Sequence, residues 1–371
     1  MSNTEIKVSV IMPIYNAYDY LRPALDSVID QTLREIEIIC IDDGSTDHTL
    51  DIIKEYQAQD ARIRIVTENN AGVSTARNKG IIRARGEYTA FLDADDFFEP
   101  TLLEKLYERA KKDDLDIAVC LFDIYNNKES KFTRAISEAD GVIFDGGKVA
   151  SASEHPDRIL GSTTGYVWNK LFRTSLIKEK ELTFAPELNV FEDVHFVCSA
   201  LALAGSVARI DEVLVHHRVY TDQSRSKLFK KYYAQVPVVY LKIKEFLMQK
   251  GMYIPLFHSY LNLSATRCYK IYNLLWSDAK ADFWNMLHDG YADSLGWFRC
   301  GSDEFNDREV AEFVANVGIY SHRLYEKRTD RGRSIKVEGM SEKRIKKRLK
   351  KVHFREKLRE LIGKLKGKKK K

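Results

Sequence analysis

Short apolar runs alternate with amphipathic stretches over the first 125 residues of the chain. The apolar runs are rich in β-branched residues, which is typical of strands buried on both faces. Strands are predicted at 8–14, 36–41, 63–66, 88–92 and 116–122. Amphipathic helices are predicted at 18–32, 46–59, 73–85 and 102–112. These repeated strand–helix units predict an α/β fold, in which a mostly parallel sheet is covered by helices on both faces.

The pattern changes after residue 123. Residues 123–165 are rich in Gly, Ser and Asp, which predicts loops with short strands. A helix is predicted at 192–203 and a strand at 207–215, and residues 228–317 have a helical pattern with many aromatic side chains. We therefore predict an α/β domain at 1–225, a smaller α-helical domain at 226–330, and a linker with a basic tail at 331–371.

Charge is distributed unevenly along the 371 residues. The formal net charge is +5, but residues 343–371 hold 16 Lys or Arg against two acids, so the other residues together carry −9. Apolar residues recur in this tail at approximate helical spacing, which predicts a basic amphipathic C-terminal helix. Such helices bind anionic membrane surfaces. A solvated tail and nucleic-acid binding are the alternatives, but Phe354 is the one aromatic residue of the tail, so we expect a membrane partner and no nucleic acid.

Cysteine usage and hydropathy bear on the location of the protein. Five scattered cysteines form no C-x-x-C pair, which suits reduced thiols in the cytoplasm. The first residues lack a basic segment, so no secretory signal is predicted. No stretch approaches the ~18 apolar residues that span a bilayer. With the basic tail, this predicts a cytoplasmic protein that is peripheral at the inner face of the cell membrane.

Polar and acidic residues follow four of the predicted strands. In open α/β sheets, ligands bind at the carboxyl ends of the strands. Each acid could instead serve as an ordinary turn residue or helix N-cap. Three carboxylates at 93–96, however, repel one another unless a cation is present, and a D-x-D at a strand end suits a divalent ion with oxygen ligands. The four segments are Pro13–Asn16, Asp42–Asp47, Asn69–Asn78 and Asp93–Asp96.

Two glycine-rich phosphate-binding loops are absent from the sequence. No G-x-G-x-x-G follows the first strand, and no G-x-x-x-x-G-K-[ST] occurs anywhere. Dinucleotide oxidoreductases and P-loop phosphohydrolases are therefore poor fits. Nucleotide binding through acids and a metal indicates nucleotide-sugar chemistry instead.

Six motifs, taken in order, resemble glycosyltransferase family 2. They are VSVIMPIYN, IDDGSTD, NAGVSTARNKGI and GEYTAFLDADD, followed by WNKLF at 168–172 and FED at 191–193. The resemblance covers about residues 6–225. It implies a Rossmann-like GT-A fold and an inverting mechanism, and many similar proteins glycosylate lipid-linked acceptors of bacterial surface polysaccharides.

The resemblance also implies roles in donor binding for the matching residues. Pro13, Tyr15 and Asn16 would line the nucleotide pocket. Asp43 would hydrogen-bond the base, and Arg77 would help to hold the nucleotide or its phosphates.

The remaining implied roles concern the metal and the acceptor. Asp93 would contact the ribose or the metal shell, and Asp95 would bind Mn²⁺ or Mg²⁺ directly. Asp193 would be the general base that removes the proton of the acceptor hydroxyl, although it could simply occupy a helix first turn, where the dipole favours acids. Further candidates are Asn78, Asp96, Lys170, Glu192, His216 and His217.

Some of these candidates keep two interpretations. Lys170 is either a phosphate contact or a solvated surface lysine. His216 and His217 lie either near the metal or acceptor, or in a purely structural position.

The predicted reaction transfers a hexose or N-acetylhexosamine from a nucleotide diphosphate sugar, expected to be a UDP-sugar, to a glycan or lipid-linked glycan. A non-catalytic glycan- or lipid-binding protein on the same fold is the alternative. Sugar nucleotidylyl transfer fits less well, because it needs a glycine-rich basic loop after the first strand and residues 13–16 do not provide one.

Overall fold

The computed structural model describes residues 5–134, 141–219 and 232–329. The strands in this part of the chain form one nine-stranded sheet. They are β1 (Val8–Ile14), β2 (Ile36–Asp42), β3 (Ile63–Thr67), β4 (Tyr88–Phe91), β5 (Phe97–Phe98), β6 (Ile117–Asn126), β7 (Lys131–Arg134), β8 (Lys170–Arg173) and β9 (Val207–Val219). Their order across the sheet is β3-β2-β1-β4-β8-β6-β9-β5, and β7 pairs with β6.

Helices connect and follow these strands. Those of the first half are α1 (Leu21–Ile29), α2 (Thr49–Gln59), α3 (Val73–Arg83), α4 (Leu102–Lys112), α5 (Thr174–Glu179) and α6 (Glu192–Leu203). The later ones are α7 (Gln235–Gln249), α8 (Phe257–Leu274), α9 (Ser277–Met286), α10 (Ala292–Ser294), α11 (Arg308–Ile319) and α12 (His322–Thr329). The predicted bounds of β1, α4 and α6 agree with the structure, and most other predicted elements end within a few residues of the observed ones.

Helices cover both faces of the sheet, as predicted. Successive side chains of a strand point to opposite faces, so each buried strand packs against helices on both sides. Val10 and Met12 of β1 belong to the apolar core that also contains Leu25 of α1 and Leu106 of α4. Ile11 points to the opposite face, where α3 packs so closely that a Cβ on Gly80 would overlap the Ile11 side chain. On that face the ring of Phe91 in β4 contacts Phe196 of α6 at 5.8 Å.

The two halves of the sheet differ in strand direction. Strands β3, β2, β1 and β4 are parallel neighbours, as the repeated strand–helix pattern predicts. Strand β8 lies antiparallel to both β4 and β6, whereas β6 and β9 are parallel. The described residues between β6 and β8 contain no α-helix, so this connection is not the helical crossover that parallel neighbours require. The second half is therefore mixed.

The chain divides into two compact units. The first comprises the described residues up to Gln235 together with Lys242–Ser259, and the second comprises Val236–Leu241 and the described residues from Tyr260 onward. The described part of the second unit is helical, in agreement with the predicted helical C-terminal region. The predicted boundary near residue 225, the linker from 331 and the basic helix at 343–371 lie outside the described residues.

None of the helices in the described ranges combines the length and hydropathy needed to cross a membrane. The longest, α8, has 18 residues and includes several polar and charged side chains.

Candidate active site

The carboxyl ends of β2, β1 and β4 meet at one edge of the sheet, because these three strands are adjacent and parallel. The backbone N–H of Asp43 donates to the carbonyl of Ile14 at 2.8 Å, and that of Leu92 donates to Ile11 at 3.0 Å. The pairing places the loops that begin near Tyr15, Asp43 and Asp93 side by side. The strand order therefore agrees with the prediction that these loops lie together at one edge of the sheet.

Asn16 and the 42–47 loop fasten to each other. Asn16 adopts a left-handed backbone with φ of 48°, which asparagine tolerates better than most residues. Its Oδ1 accepts the N–H of Thr46 at 2.8 Å, and its own N–H donates to the Ser45 hydroxyl at 3.0 Å. Tyr15 beside it is 46% exposed, whereas Pro13 is buried within β1. Tyr15 and Asn16 thus lie where a nucleotide could contact them, and Pro13 can act only from within the strand.

Asp43 is almost buried and holds the loop that precedes α3. Its two carboxylate oxygens accept the backbone N–H groups of Ala71 and Gly72, each at 2.8 Å. Gly72 has φ of 88°, a conformation that glycine adopts without strain. Asp43 therefore holds a loop that lies 28 residues further along the chain rather than its own turn, and its predicted contact with a base would use the remaining acceptor capacity of the same carboxylate.

Arg77 of α3 lies at the centre of a cluster of carboxylates and is only 1% exposed. Its Nη1 donates to Asp193 at 2.5 Å and to Glu192 at 3.1 Å, and its Nη2 donates to Asp93 at 2.6 Å. Burial lowers the pKa of Arg77, but the three carboxylates outweigh that effect and the pKa is raised. This network joins the loop after β4 to the start of α6.

The network changes the interpretation of Arg77. Both terminal nitrogens are occupied by carboxylates, and Nε is buried with no hydrogen-bond partner among the residues that the structure describes. Three of its five N–H donors are used, so a phosphate contact would depend on the remaining N–H groups of Nη2 and Nε, on a side chain that is 1% exposed. The predicted phosphate contact stays a prediction, and the contacts themselves give Arg77 a positioning role toward Asp93 and Asp193.

The first turn of α6 presents Glu192 and Asp193, as the helix-start interpretation expected. The residue before them, Phe191, has φ of 61°, which is rare for a bulky side chain. Strained backbone of this kind is concentrated at functional sites, where it fixes the direction of neighbouring groups. Glu192 is 3% exposed, whereas the Asp193 side chain retains 15% exposure. Of these two acids, Asp193 is the better placed to reach a substrate.

The loop after β4 brings three acids together. Burial, together with the neighbouring Asp96 and Asp93, raises the pKa of Asp95 to about 7. Asp93 is paired with Arg77, and Asp96 is 1% exposed and paired with His217. Within the described ranges, the carboxylate of Asp95 takes part in no ion pair shorter than 4.0 Å. A divalent cation would offset both the burial of this carboxylate and its repulsion by the neighbouring acids, so the residues fit a metal at Asp95.

The protein would supply few ligands to such an ion. In the part of the chain that the structure describes, no group of three His, Cys, Asp or Glu side chains has the arrangement of a metal site. Mg²⁺ commonly binds through one or two carboxylates, and water and substrate phosphates complete its shell. Asp95 fits that pattern.

His217 and Arg218 hold the acidic loop from the far strand. Nδ1 of His217 lies 3.0 Å from Oδ1 of Asp96, and although burial lowers the pKa of His217, Asp96 and its neighbouring acids raise it to about 9. The backbone N–H of Arg218 donates to Asp96 at 2.8 Å, and its Nε donates to the Asp95 carbonyl at 2.9 Å. Both residues lie within β9, which extends to Val219, whereas the sequence predicted a strand that ends at 215.

His216 points away from this loop. Its Nδ1 lies 2.6 Å from Asp123 and its Nε2 lies 2.8 Å from Glu99, and the residue is 7% exposed. These contacts support the structural interpretation of His216. Asp123 and Glu99 could not be predicted from the sequence, because the pairings that bring β5, β6 and β9 together join residues far apart in the chain.

Lys170 and Asn78 bind backbone rather than solvent. Nζ of Lys170 donates to the carbonyls of Thr164 at 2.8 Å and Tyr166 at 2.6 Å, and to Oδ1 of Asn169 at 2.9 Å. Lys170 is 1% exposed, so the interpretation as a solvated surface lysine is wrong. The three N–H donors of its ammonium group are already used by these oxygen atoms. Asn78 exchanges two hydrogen bonds of 2.8 Å with the backbone of Phe184.

The fold and the site edge agree with the class that the sequence motifs imply. That resemblance implies a GT-A glycosyltransferase, and the structure has parallel strands β3-β2-β1-β4, a D-x-D loop after β4 at the ligand-binding edge and a carboxylate-bearing helix start beside it.

Comparison with known proteins agrees. The model of the family described as "Glycosyl transferase family 2" matches residues 9–202, and the chain belongs to glycosyltransferase family 2.

Relatives and solved structures extend the comparison. The chain is 31% identical over 279 residues to the uncharacterized glycosyltransferase YibD of Escherichia coli, covering 72% of this chain and 79% of YibD. It is 31% identical over 210 residues to the poly(ribitol-phosphate) beta-glucosyltransferase of Bacillus spizizenii, covering 55% of this chain and 31% of that protein. The crystal structure of S. aureus TarS 1–349 in complex with UDP-GlcNAc is similar with a TM-score of 0.66 and 20% identity, covering 90% of this chain and 98% of that one.

Proposed function

We propose that this glycosyltransferase moves a hexose or N-acetylhexosamine from a UDP-sugar to a hydroxyl of a glycan or lipid-linked glycan, with inversion at the anomeric carbon. The observation that carries the proposal is the Arg77 network, which ties Asp93 in the donor-side loop to Asp193 at the start of α6. The buried guanidinium of Arg77 thereby holds the proposed donor site and the proposed base in a fixed relative position.

Asp193 acts as the general base in this proposal. As the acceptor oxygen attacks C1 of the donor sugar, its proton passes to Asp193, and the bond from C1 to the diphosphate oxygen breaks. The products are the lengthened glycan and a nucleoside diphosphate. Direct displacement by the acceptor inverts the anomeric configuration without a covalent intermediate. A positioned carboxylate contributes about 10²- to 10⁴-fold to such a step.

Donor binding is assigned to the edge formed by Tyr15, Asn16, Asp43 and Asp93. The fold shared with TarS, which was crystallised with UDP-GlcNAc, supports a UDP-sugar at the equivalent edge. Asp95 would hold a divalent ion, Mn²⁺ or Mg²⁺, which when bound stabilises negative charge on the departing diphosphate. His217 and Arg218 keep the Asp95 loop in place through Asp96 and the Asp95 carbonyl.

The acceptor is proposed to belong to the cell envelope. The similarity to a poly(ribitol-phosphate) beta-glucosyltransferase supports a surface polymer or its lipid-linked precursor as acceptor. The sequence of residues 343–371 supports attachment to the inner face of the membrane through anionic lipid.

A thermal-shift panel of nucleotide sugars with Mn²⁺ or Mg²⁺, followed by transfer assays, tests the proposal. Asp193→Asn should lower turnover by about 10²- to 10⁴-fold and leave donor affinity within about twofold. Asp95→Ala should weaken metal-dependent nucleotide binding instead. Asp51 is an exposed side chain of α2, and Asp51→Asn is the matched control that should behave as wild type. Full turnover in Asp193→Asn would remove that residue from the mechanism.

The non-catalytic alternative gives a different result in the same assays. A protein that only binds glycan or lipid releases no nucleoside diphosphate from any donor, with or without metal. The presence of Asp95 and Asp193, with Asp93 of the Asp95 loop tied to Asp193 through Arg77, favours the enzyme.

A further inference from the structure

Three aromatic residues form a cluster beside the proposed catalytic residues. The rings of Tyr166 and Trp168 stack with centroids 4.6 Å apart and an angle of 16° between their planes. Phe122 of β6 contacts both rings edge-on, at 5.6 Å and 4.7 Å. Trp168 is 2% exposed, whereas Tyr166 is 40% exposed, so the cluster has a buried base and one ring at the surface.

The backbone under Tyr166 is held by buried polar groups. Lys170 donates to the carbonyls of Thr164 and Tyr166, and Asn169 donates from Nδ2 to the carbonyl of Cys120 at 2.8 Å. Holding a cation and an amide inside the protein is costly unless their hydrogen bonds are satisfied, as they are here. A surface tyrosine needs no such support, since single exposed aromatic side chains are common. These buried hydrogen bonds indicate that the position of the Tyr166 ring is important for function.

The neighbours of Tyr166 in the chain contact the two halves of the proposed site, and the Tyr166 ring itself lies 5.9 Å from the His217 ring. On one side, Gly165 packs against α6 so closely that a Cβ there would lie 2.6 Å from Cγ2 of Val194, the residue after Asp193. On the other side, Trp168 stacks on His217 with centroids 5.3 Å apart, and His217 binds Asp96. The segment 165–168 therefore packs against the helix that carries the proposed base, and through His217 it is linked to the loop that carries Asp95.

We propose that Tyr166 is an acceptor subsite that takes a pyranose ring by stacking. This inference rests on the proposed function and names the substrate class at the acceptor side of the same site. The face of an aromatic ring is electronegative and attracts the polarised C–H groups on the apolar face of a sugar. A β-gluco- or β-galacto-configured ring has at least one face that presents axial C–H groups, which gives it a patch of that kind. Stacking there would hold the sugar next to Asp193, which must reach its hydroxyl.

Saturation-transfer NMR on the full-length protein tests the subsite directly. The probes are methyl β-D-glucopyranoside, methyl β-D-galactopyranoside and methyl N-acetyl-β-D-glucosaminide, each in the presence of UDP and Mg²⁺. Wild type should transfer saturation to the UDP protons and to the ring protons of at least one glycoside. Tyr166→Ala should keep the UDP signals and weaken glycoside binding by about tenfold.

Two further variants separate stacking from other effects. Tyr166→Phe keeps the ring and should bind the glycosides as wild type does. Tyr18→Ala removes a tyrosine of the same unit that is 52% exposed, and it should change neither signal. The UDP signals report in every variant that the protein is folded.

The outcomes distinguish this inference from the proposed function. If UDP binds and Tyr166→Ala retains the glycoside signals, or if wild type binds none of the three glycosides, the subsite is overturned. If wild type binds no UDP at all, the proposed function itself is contradicted.

Discussion

Arg77 is the residue on which most of the site depends. Its fork of donors contacts acids from two elements, and three carboxylates share one buried guanidinium. Removing a partner from a buried ion cluster is strongly destabilising, whereas changing its geometry affects function first. A conservative substitution therefore separates charge from geometry.

Arg77→Lys should lower kcat by about 10²-fold while the affinity for UDP changes much less, because a lysine keeps the charge but cannot orient Asp93 and Asp193 together. Steady-state kinetics with UDP titrations measure the two effects. Arg22→Lys, in an exposed pair with Glu55, is the matched control and should retain wild-type kcat. Equal losses of kcat and of UDP affinity in Arg77→Lys would favour a direct nucleotide contact instead.

His195 makes the stability of the first unit depend on pH in the acid range. Burial and the nearby Lys242 lower the pKa of His195 to about 4, and its Nδ1 is buried with no hydrogen-bond partner among the described residues. The unfolded state then binds a proton at higher pH than the folded state, so stability is lost as pH falls below the unfolded pKa of about 6.5.

His195→Phe should remove this component. Between pH 7 and pH 5 the variant should lose about 2 kcal/mol less of its free energy of unfolding than wild type. Urea denaturation at both pH values measures the difference. An identical pH dependence in the two proteins would show that His195 is protonated normally in the fold.

Strand β8 is the element that completes the site, because it ends the loop carrying Tyr166 and Trp168 and begins with Lys170. Burial lowers the pKa of Lys170 to about 7, yet the side chain has three oxygen acceptors that match the three donors of an ammonium. The strand is thus fixed by side-chain hydrogen bonds as well as by its pairing with β4 and β6.

Lys170→Met should cost about 3 kcal/mol of stability, since three hydrogen bonds of ~1 kcal/mol each are lost and their acceptors stay buried. Lys178→Met in α5 is the control, because Lys178 donates one hydrogen bond to the Ala84 carbonyl and should cost about 1 kcal/mol. Chemical denaturation gives both values. A cost for Lys170→Met no larger than the control would show that desolvation of the lysine offsets its hydrogen bonds.

The whole molecule combines an acidic body with a basic tail. Each basic residue near an anionic bilayer contributes about 1 kcal/mol to binding, which is the basis of the proposed attachment through the tail. The described body contains no membrane-spanning helix, and the charge of the tail is the feature of the chain that would favour a membrane surface.

Full-length protein should float with liposomes that contain phosphatidylglycerol and should not float with liposomes of phosphatidylcholine alone. Deletion of residues 343–371 should abolish flotation and leave the thermal shift with UDP unchanged, because the proposed donor site lies in the first unit. Salt should release the full-length protein, since the attraction is electrostatic. Undiminished flotation after the deletion would refute the role of the tail.

Local sequence patterns determined much of this fold. The alternation of apolar runs and amphipathic helices depends only on neighbouring residues, which is why the bounds of β1, α4 and α6 could be read directly. The acids at the ends of β2 and β4 met at one edge because parallel strands share that edge. The motifs of the resemblance identified the family, and the family match confirms it.

Tertiary structure decided how the site residues are used. Arg77 meets Glu192 and Asp193 across 115 and 116 residues of chain, and Asp96 meets His217 across 121. Such contacts follow from the antiparallel insertion of β8 and the pairing of β5 with β9, which no local pattern encodes. Charge and burial at a site are sums over everything that packs there, so the sequence supplied the acids and the fold determined which of them are paired and which are buried.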